Sequence, residues 1–121
     1  MIKGLRTVIY PAPDLTSAKD WYSKVLGQGP HFDQPFYVGF SVGGFELGLI
    51  PDANPGSVGP RAYWGVEDAA ASLKRLIELG ATELEQVQDV GDGIKVASVT
   101  DPFGNSFGII ENPHFRISDV K

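Results

Sequence analysis

The feature that most constrains this chain is an order of elements that occurs twice. Residues 5–10 (LRTVIY) form a short β-rich run closed by Pro11 and Pro13. Asp14 suits the N-cap of a helix whose apolar residues Leu15, Ala18, Tyr22, Val25 and Leu26 keep i, i+3, i+4 spacing. Gly27 suits the left-handed position that follows. A weak extended stretch at 30–34 precedes strands at 36–42 and 45–50. Gly43-Gly44 between those strands fits a two-residue hairpin, where both turn positions want positive φ. The order then returns: a strand at 61–66, Asp68 as cap, a helix carrying Leu73, Leu76 and Ile77 up to Gly80, and strands at 82–88 and 94–100 around Asp92-Gly93. Asp101-Pro102-Phe103-Gly104 is a β-turn leading into a closing strand at 106–111. The two caps stand 54 residues apart (14 to 68), and Leu47-Gly48-Leu49-Ile50 is echoed 60 residues later by Phe107-Gly108-Ile109-Ile110. Matching order along both halves predicts a duplicated βαβββ module. Module one covers about 2–51 and module two about 61–113. The Pro/Gly-rich segment 52–60 reads as a linker, and 114–121 as a tail without period, all within one domain of 1–121.

Charge and composition then remove several kinds of function. Ten Lys+Arg against 15 Asp+Glu leave a net charge of −5, which argues against a nucleic-acid partner. No apolar run approaches the roughly 18 residues of a membrane span, and Pro11 comes too early for a signal-peptide core, so a cytoplasmic protein is expected. With no cysteine, disulfides, thiolate metal sites and cysteine nucleophiles are excluded; with two histidines, one chain cannot build a three-histidine metal site. There is no nucleotide-binding loop and no catalytic triad motif.

The ordered pieces Pro13-Asp14-Leu15, Trp21-Tyr22, Leu26-Gly27, Val66-Glu67-Asp68, Leu79-Gly80-Ala81 and Asp101-Pro102-Phe103-Gly104-Asn105 resemble the vicinal oxygen chelate superfamily. That family holds glyoxalase I, extradiol dioxygenases, methylmalonyl-CoA epimerase and the fosfomycin- and bleomycin-resistance proteins. The resemblance spans residues 2–113. It implies an α+β fold in which two βαβββ modules form an eight-stranded half-open barrel around a central cavity, with helices outside, commonly in a homodimer. In the family's enzymes four ligands, mostly His and Glu, hold a divalent ion in that cavity. Their positions here read Thr7, Gly48, Arg61 and Gly108. Glycine has no side chain to coordinate with, arginine is a permanent cation, and threonine is a poor ligand without carboxylate neighbours. The expectation is therefore no metal and no cofactor.

Strand alternation extends this face. If Thr7, Gly48, Arg61 and Gly108 face the cavity, Ile9, Glu46, Tyr63, Ser106 and Ile110 face it too. Val8, Tyr10, Leu49, Trp64, Val66, Phe107 and Ile109 then pack under the helices. Arg61 has two readings: a fixed cation replacing the metal opposite a carboxylate, phosphonate or enolate oxygen, or a solvated or Glu46-paired strand-end residue. Glu46 is a general base, an anchor for a cationic group, or an exposed or ion-paired carboxylate. Tyr63 is a stacking wall. His31 and His114 are acid–base groups or plain surface residues, and Glu111 is a strand-end charge. Three functions stay open. The first is metal-free binding of a small amphipathic molecule against walls that include Phe36, Tyr37, Tyr63 and Phe103. The second is a metal-free lyase or isomerase using Arg61 and Glu46. The third is a metal-dependent lyase or dioxygenase with the displaced ligands His31, Glu46 and Glu111.

Overall fold

The computed structural model describes residues 1–53, 60–116 and 118; most of the expected linker, 54–59, and tail positions 117 and 119–121 lie outside them. The elements are β1 (Ile2–Pro11), α1 (Leu15–Leu26), β2 (Phe32–Gln34), β3 (Tyr37–Val42), β4 (Phe45–Ile50), β5 (Arg61–Val66), α2 (Ala69–Glu78), β6 (Thr82–Gly91), β7 (Ile94–Thr100) and β8 (Ser106–Glu111). This is an α+β fold of two βαβββ modules, with parallel and antiparallel strand neighbours mixed. No helix among the described residues is long and apolar enough to cross a membrane.

The chain divides into two compact units, one built on residues 7–60 and the other on 1–6 together with 61–116. The division falls inside β1, so the first residues of module one belong with the elements of module two. β1 is also longer than expected at both ends, and Gly4, at φ 137°, lies within its early part.

In the 7–60 unit, β2, β3 and β4 are antiparallel neighbours, and β4 lies parallel to β1. Asp14 caps α1: its carboxylate accepts from the Ser17 backbone N–H at 3.1 Å and from the Ser17 hydroxyl at 2.8 Å. Gly27 ends the helix in the left-handed region at φ 71°. The inner side of α1, Leu15, Ala18, Tyr22 and Leu26, packs on Ala12, Val38, Phe40 and Leu49. Phe40 and Leu49 are fully buried, and burial of such a side chain is worth roughly 1.5–3 kcal/mol. Val25, counted in the apolar stripe from its spacing, is instead exposed together with Trp21.

The second unit repeats the plan. β5 and β8 are parallel, β8 and β7 antiparallel, and β7 and β6 antiparallel with register shifts along β6. Asp68 caps α2 through the Ala71 N–H at 3.0 Å. Leu73 and Leu76 pack on Val66, Ala97, Val99 and Ile109, whereas Ile77 is turned outward. Trp64 stacks on Phe107 with centroids 5.8 Å apart. In both units Tyr10, Leu49, Val66, Phe107 and Ile109 lie on the helix-covered side, which leaves the alternate residues of the same strands on the other face.

Candidate functional site

The Gly43-Gly44 turn, with φ of 59° and 94°, sets the β3–β4 register so that Gly39 stands opposite Gly48 and Ser41 opposite Glu46. The parallel β1–β4 pairing adds Thr7 beside Glu46 and Ile9 beside Gly48. Two bare backbones therefore face each other, and neighbouring side chains lean over them. The Glu46 carboxylate accepts from Tyr37 at 2.5 Å through one oxygen and meets His31 Nε2 at 2.7 Å through the other. An ionised carboxylate only accepts, so Nε2 is the donor in this contact. His31 is held in turn by its own N–H, which donates to the Gly39 carbonyl at 2.9 Å.

The glycines leave room for this cluster, closely at Gly48 and more loosely at Gly39. A Cβ on Gly48 would lie 2.6 Å from Tyr37 Cζ, with the hydroxyl nearer still, and one on Gly39 would lie 3.2 Å from His31 Nε2. Beside the cluster Phe32 contacts Phe36 and Tyr37 at centroid distances of 6.1 and 6.0 Å, and Phe36 is 66% exposed. The result is a half-exposed carboxylate with an aromatic wall. His31, read from sequence as a rim residue of either kind, belongs to it.

The other unit places its residues differently. Arg61 pairs with Glu85 at 2.8 Å, and the buried Ser98 hydroxyl donates to the same Glu85 oxygen at 2.9 Å. Arg61 thus has a carboxylate partner within its own unit, Glu85. Tyr63, buried, lies over Gly108, its parallel neighbour; a Cβ there would stand 2.6 Å from Tyr63 Cδ1 and 2.9 Å from the Ala62 carbonyl. The Ser106 hydroxyl is buried with no hydrogen-bond partner among the described residues. Glu111 is not a free strand-end charge: it accepts from the Ala69 N–H at 2.9 Å, satisfying a donor at the start of α2. His114 Nε2 donates to the Asp92 carbonyl at 2.8 Å, tying the segment after β8 to the β6–β7 turn.

The four family ligand positions do not fit a metal. Thr7 is buried, Arg61 is an ion-paired cation, and the space above Gly48 and Gly108 holds tyrosine rings. Among the described residues no group of three or more His, Asp or Glu converges to hold an ion.

Comparison with known proteins agrees with this architecture. The model of the Glyoxalase/Bleomycin resistance protein/Dioxygenase superfamily matches residues 4–109, and the chain belongs to that superfamily. No curated protein sequence matches it significantly. Among solved structures, a variant of Streptomyces coelicolor methylmalonyl-CoA epimerase in complex with 2-nitronate-propionyl-CoA is similar at 12% identity and TM-score 0.75, covering 91% of this chain and 97% of that one. The Mycobacterium tuberculosis methylmalonyl-CoA epimerase is similar at 19% identity and TM-score 0.69, covering 90% and 87%. A structure described as NAD-dependent benzaldehyde dehydrogenase from Legionella pneumophila is similar at 14% identity and TM-score 0.67, covering 86% and 96%. At these identities the likeness is one of fold.

Proposed function

We propose that this protein is a metal-independent member of the superfamily that binds a small amphipathic molecule on the helix-free faces of its modules. The observation that carries the reading is the pair of tyrosine rings over Gly48 and Gly108, which fill the space that a side chain at either position would need. Glu46, oriented by His31 and Tyr37, is the polar anchor, and Phe32 and Phe36 supply apolar area. Thr7, Ile9, Arg61, Tyr63, Ser106 and Ile110 are proposed as further binding residues. A cytoplasmic homodimer with neither a nucleic-acid nor a membrane partner is part of the same proposal, and sedimentation tests the dimer.

The test is elemental analysis of chelator-free protein after exposure to nickel, zinc, manganese and ferrous iron, followed by a thermal-shift screen of small amphiphiles on wild type and Glu46→Gln. The expected outcome is no retained metal and at least one ligand whose shift falls in the variant. Near-stoichiometric metal that survives dialysis would sink the reading.

A second reading, proton transfer at a carbon next to a carbonyl, is favoured by the Glu46 contacts. Glu46 would take the proton and return it, with His31 and Tyr37 positioning the carboxylate. Arg61 fits less well as an oxyanion clamp, because Glu85 already neutralises it. Deuterium incorporation from D2O into a panel of small acyl thioesters, lost in Glu46→Gln, would support this reading; no incorporation would eliminate it.

A further inference from the structure

A polar recess lies in the unit built on 1–6 and 61–116, bordered by Lys3, Arg6, Gly65, Ile110, Asn112 and Phe115. It is small, about 50 Å³, where one water needs about 10–15 Å³. That admits a head group the size of a carboxylate or phosphate, not a whole metabolite.

Its lining is cationic in a chain whose net charge is −5. The Arg6 guanidinium stacks on the Phe115 ring, with Cζ 3.7 Å from the centroid. Its hydrogen bond runs to the neighbouring Leu5 carbonyl at 3.3 Å, and no carboxylate among the described residues pairs with it. Gly65 makes the arrangement possible: a Cβ there would stand 2.6 Å from Arg6 Nε and 2.8 Å from Cζ. Partial burial lowers the Arg6 pKa through desolvation, yet an arginine so shifted keeps its charge at neutral pH. Two further donors lie alongside. Lys3 has Glu67 at 4.0 Å, both side chains more than half exposed, so the pair is weak and leaves the ammonium available. Asn112 accepts the His114 N–H through Oδ1 at 2.9 Å, which turns its amide NH2 into the free end.

We infer that this recess is an oxyanion-binding site, in which Arg6, held flat by Phe115 and Gly65, and Lys3 and Asn112 beside it take a carboxylate or phosphate head group. The inference does not depend on the Glu46 cluster, which lies on other strands. A planar guanidinium with unused N–H groups is the side chain best matched to such oxygens.

The experiment is a titration of the full chain with inorganic phosphate and, separately, acetate at constant ionic strength, with chloride as the reference. It is followed by 1H–15N spectra of backbone amides, Arg6 Nε–H and the Asn112 side-chain amide. Saturable shifts at Arg6 and Asn112 beyond those from chloride are expected. Saturation by phosphate alone or by acetate alone assigns the head-group class, and saturation by both assigns oxyanions generally. Arg6→Gln should weaken binding by about tenfold or more, as loss of a hydrogen bond from a charged donor implies. Lys3→Gln, on an exposed side chain that folding does not need, should weaken it a few-fold. A response to both anions no different from chloride, or saturation unchanged in both variants, overturns the site.

Discussion

Adding a single methyl group at Gly48 tests the cluster around Glu46 most directly. Gly48 has an ordinary φ, so alanine is conformationally acceptable and by itself stabilises through the unfolded chain by about 0.4–1 kcal/mol. Against this, the new Cβ would stand 2.6–2.7 Å from Tyr37 ring carbons. The ring must move, at roughly 1 kcal/mol for overpacking at a partly open site. It then releases Glu46, at about 1.5 kcal/mol, the low end for a bond to a charged acceptor because that carboxylate still reaches water. Gly48→Ala should therefore destabilise by about 2 kcal/mol, lowering Tm by roughly 6–12 °C in a chain of this size. In a Tyr37→Ala background the obstacle is gone, and the same substitution should stabilise by about 0.5 kcal/mol. The sign reverses, with a coupling energy of about 2.5 kcal/mol. Urea unfolding of the four proteins measures it. Equal effects of Gly48→Ala in both backgrounds would refute the proposed packing of Tyr37 over Gly48.

Three other predictions follow from individual contacts. Glu111→Ala should cost about 1–2 kcal/mol, because it orphans the N–H of fully buried Ala69, and Glu111→Gln should restore much of this; amide exchange at Ala69 reports it. Ser98→Ala should cost about 1 kcal/mol through the lost bond to Glu85, and less when Glu85→Gln is already present, as a double-mutant cycle by thermal unfolding will reveal. The Asp14 and Asp101 carboxyls are held below the usual range, Asp14 chiefly by the Ser17 hydroxyl and Asp101 chiefly by the Asn105 backbone N–H. A depressed folded-state pKa gives stability that is present above the unfolded value, near pH 4, and lost as pH falls through the folded one. Replacing both residues with Asn should flatten the acid limb of the stability curve below about pH 4 and leave its slope near neutrality unchanged.

Most of the fold was legible because it rests on local chemistry. Capping aspartates, closing glycines and Gly-Gly or Asp-Gly turns act within a few residues: Asp14 and Asp68 both cap through their side chains, and Gly27, Gly43, Gly44 and Asp92 take the left-handed conformations that their types favour. The Glu46 cluster was only half legible. Once the 43–44 turn fixes Gly39 opposite Gly48, alternation puts Tyr37 on the same face, so its reach over Gly48 was derivable. His31 was not, because it precedes a three-residue strand without periodic signal. Glu85 was hidden for another reason: β6 carries register shifts on both sides of it, and alternation cannot be counted through them. Glu111 was misread although its signal was present, since it is in phase with Phe107 and Ile109 and so points to the helix side.

The two tyrosines have a further consequence for how the halves of the chain came to differ. By strand register, Ile9 stands to Gly48 as Tyr63 stands to Gly108, and Val96 stands to Ser98 as Tyr37 stands to Gly39. Tyr37 and Tyr63 are therefore not counterparts: one leans in from an antiparallel neighbour, the other from a parallel one. If the modules descend from a duplicated ancestor, a shared tyrosine was not handed down to both. Each copy filled the same gap with its own solution, while the capping aspartates and the closing-strand glycines kept their places in both.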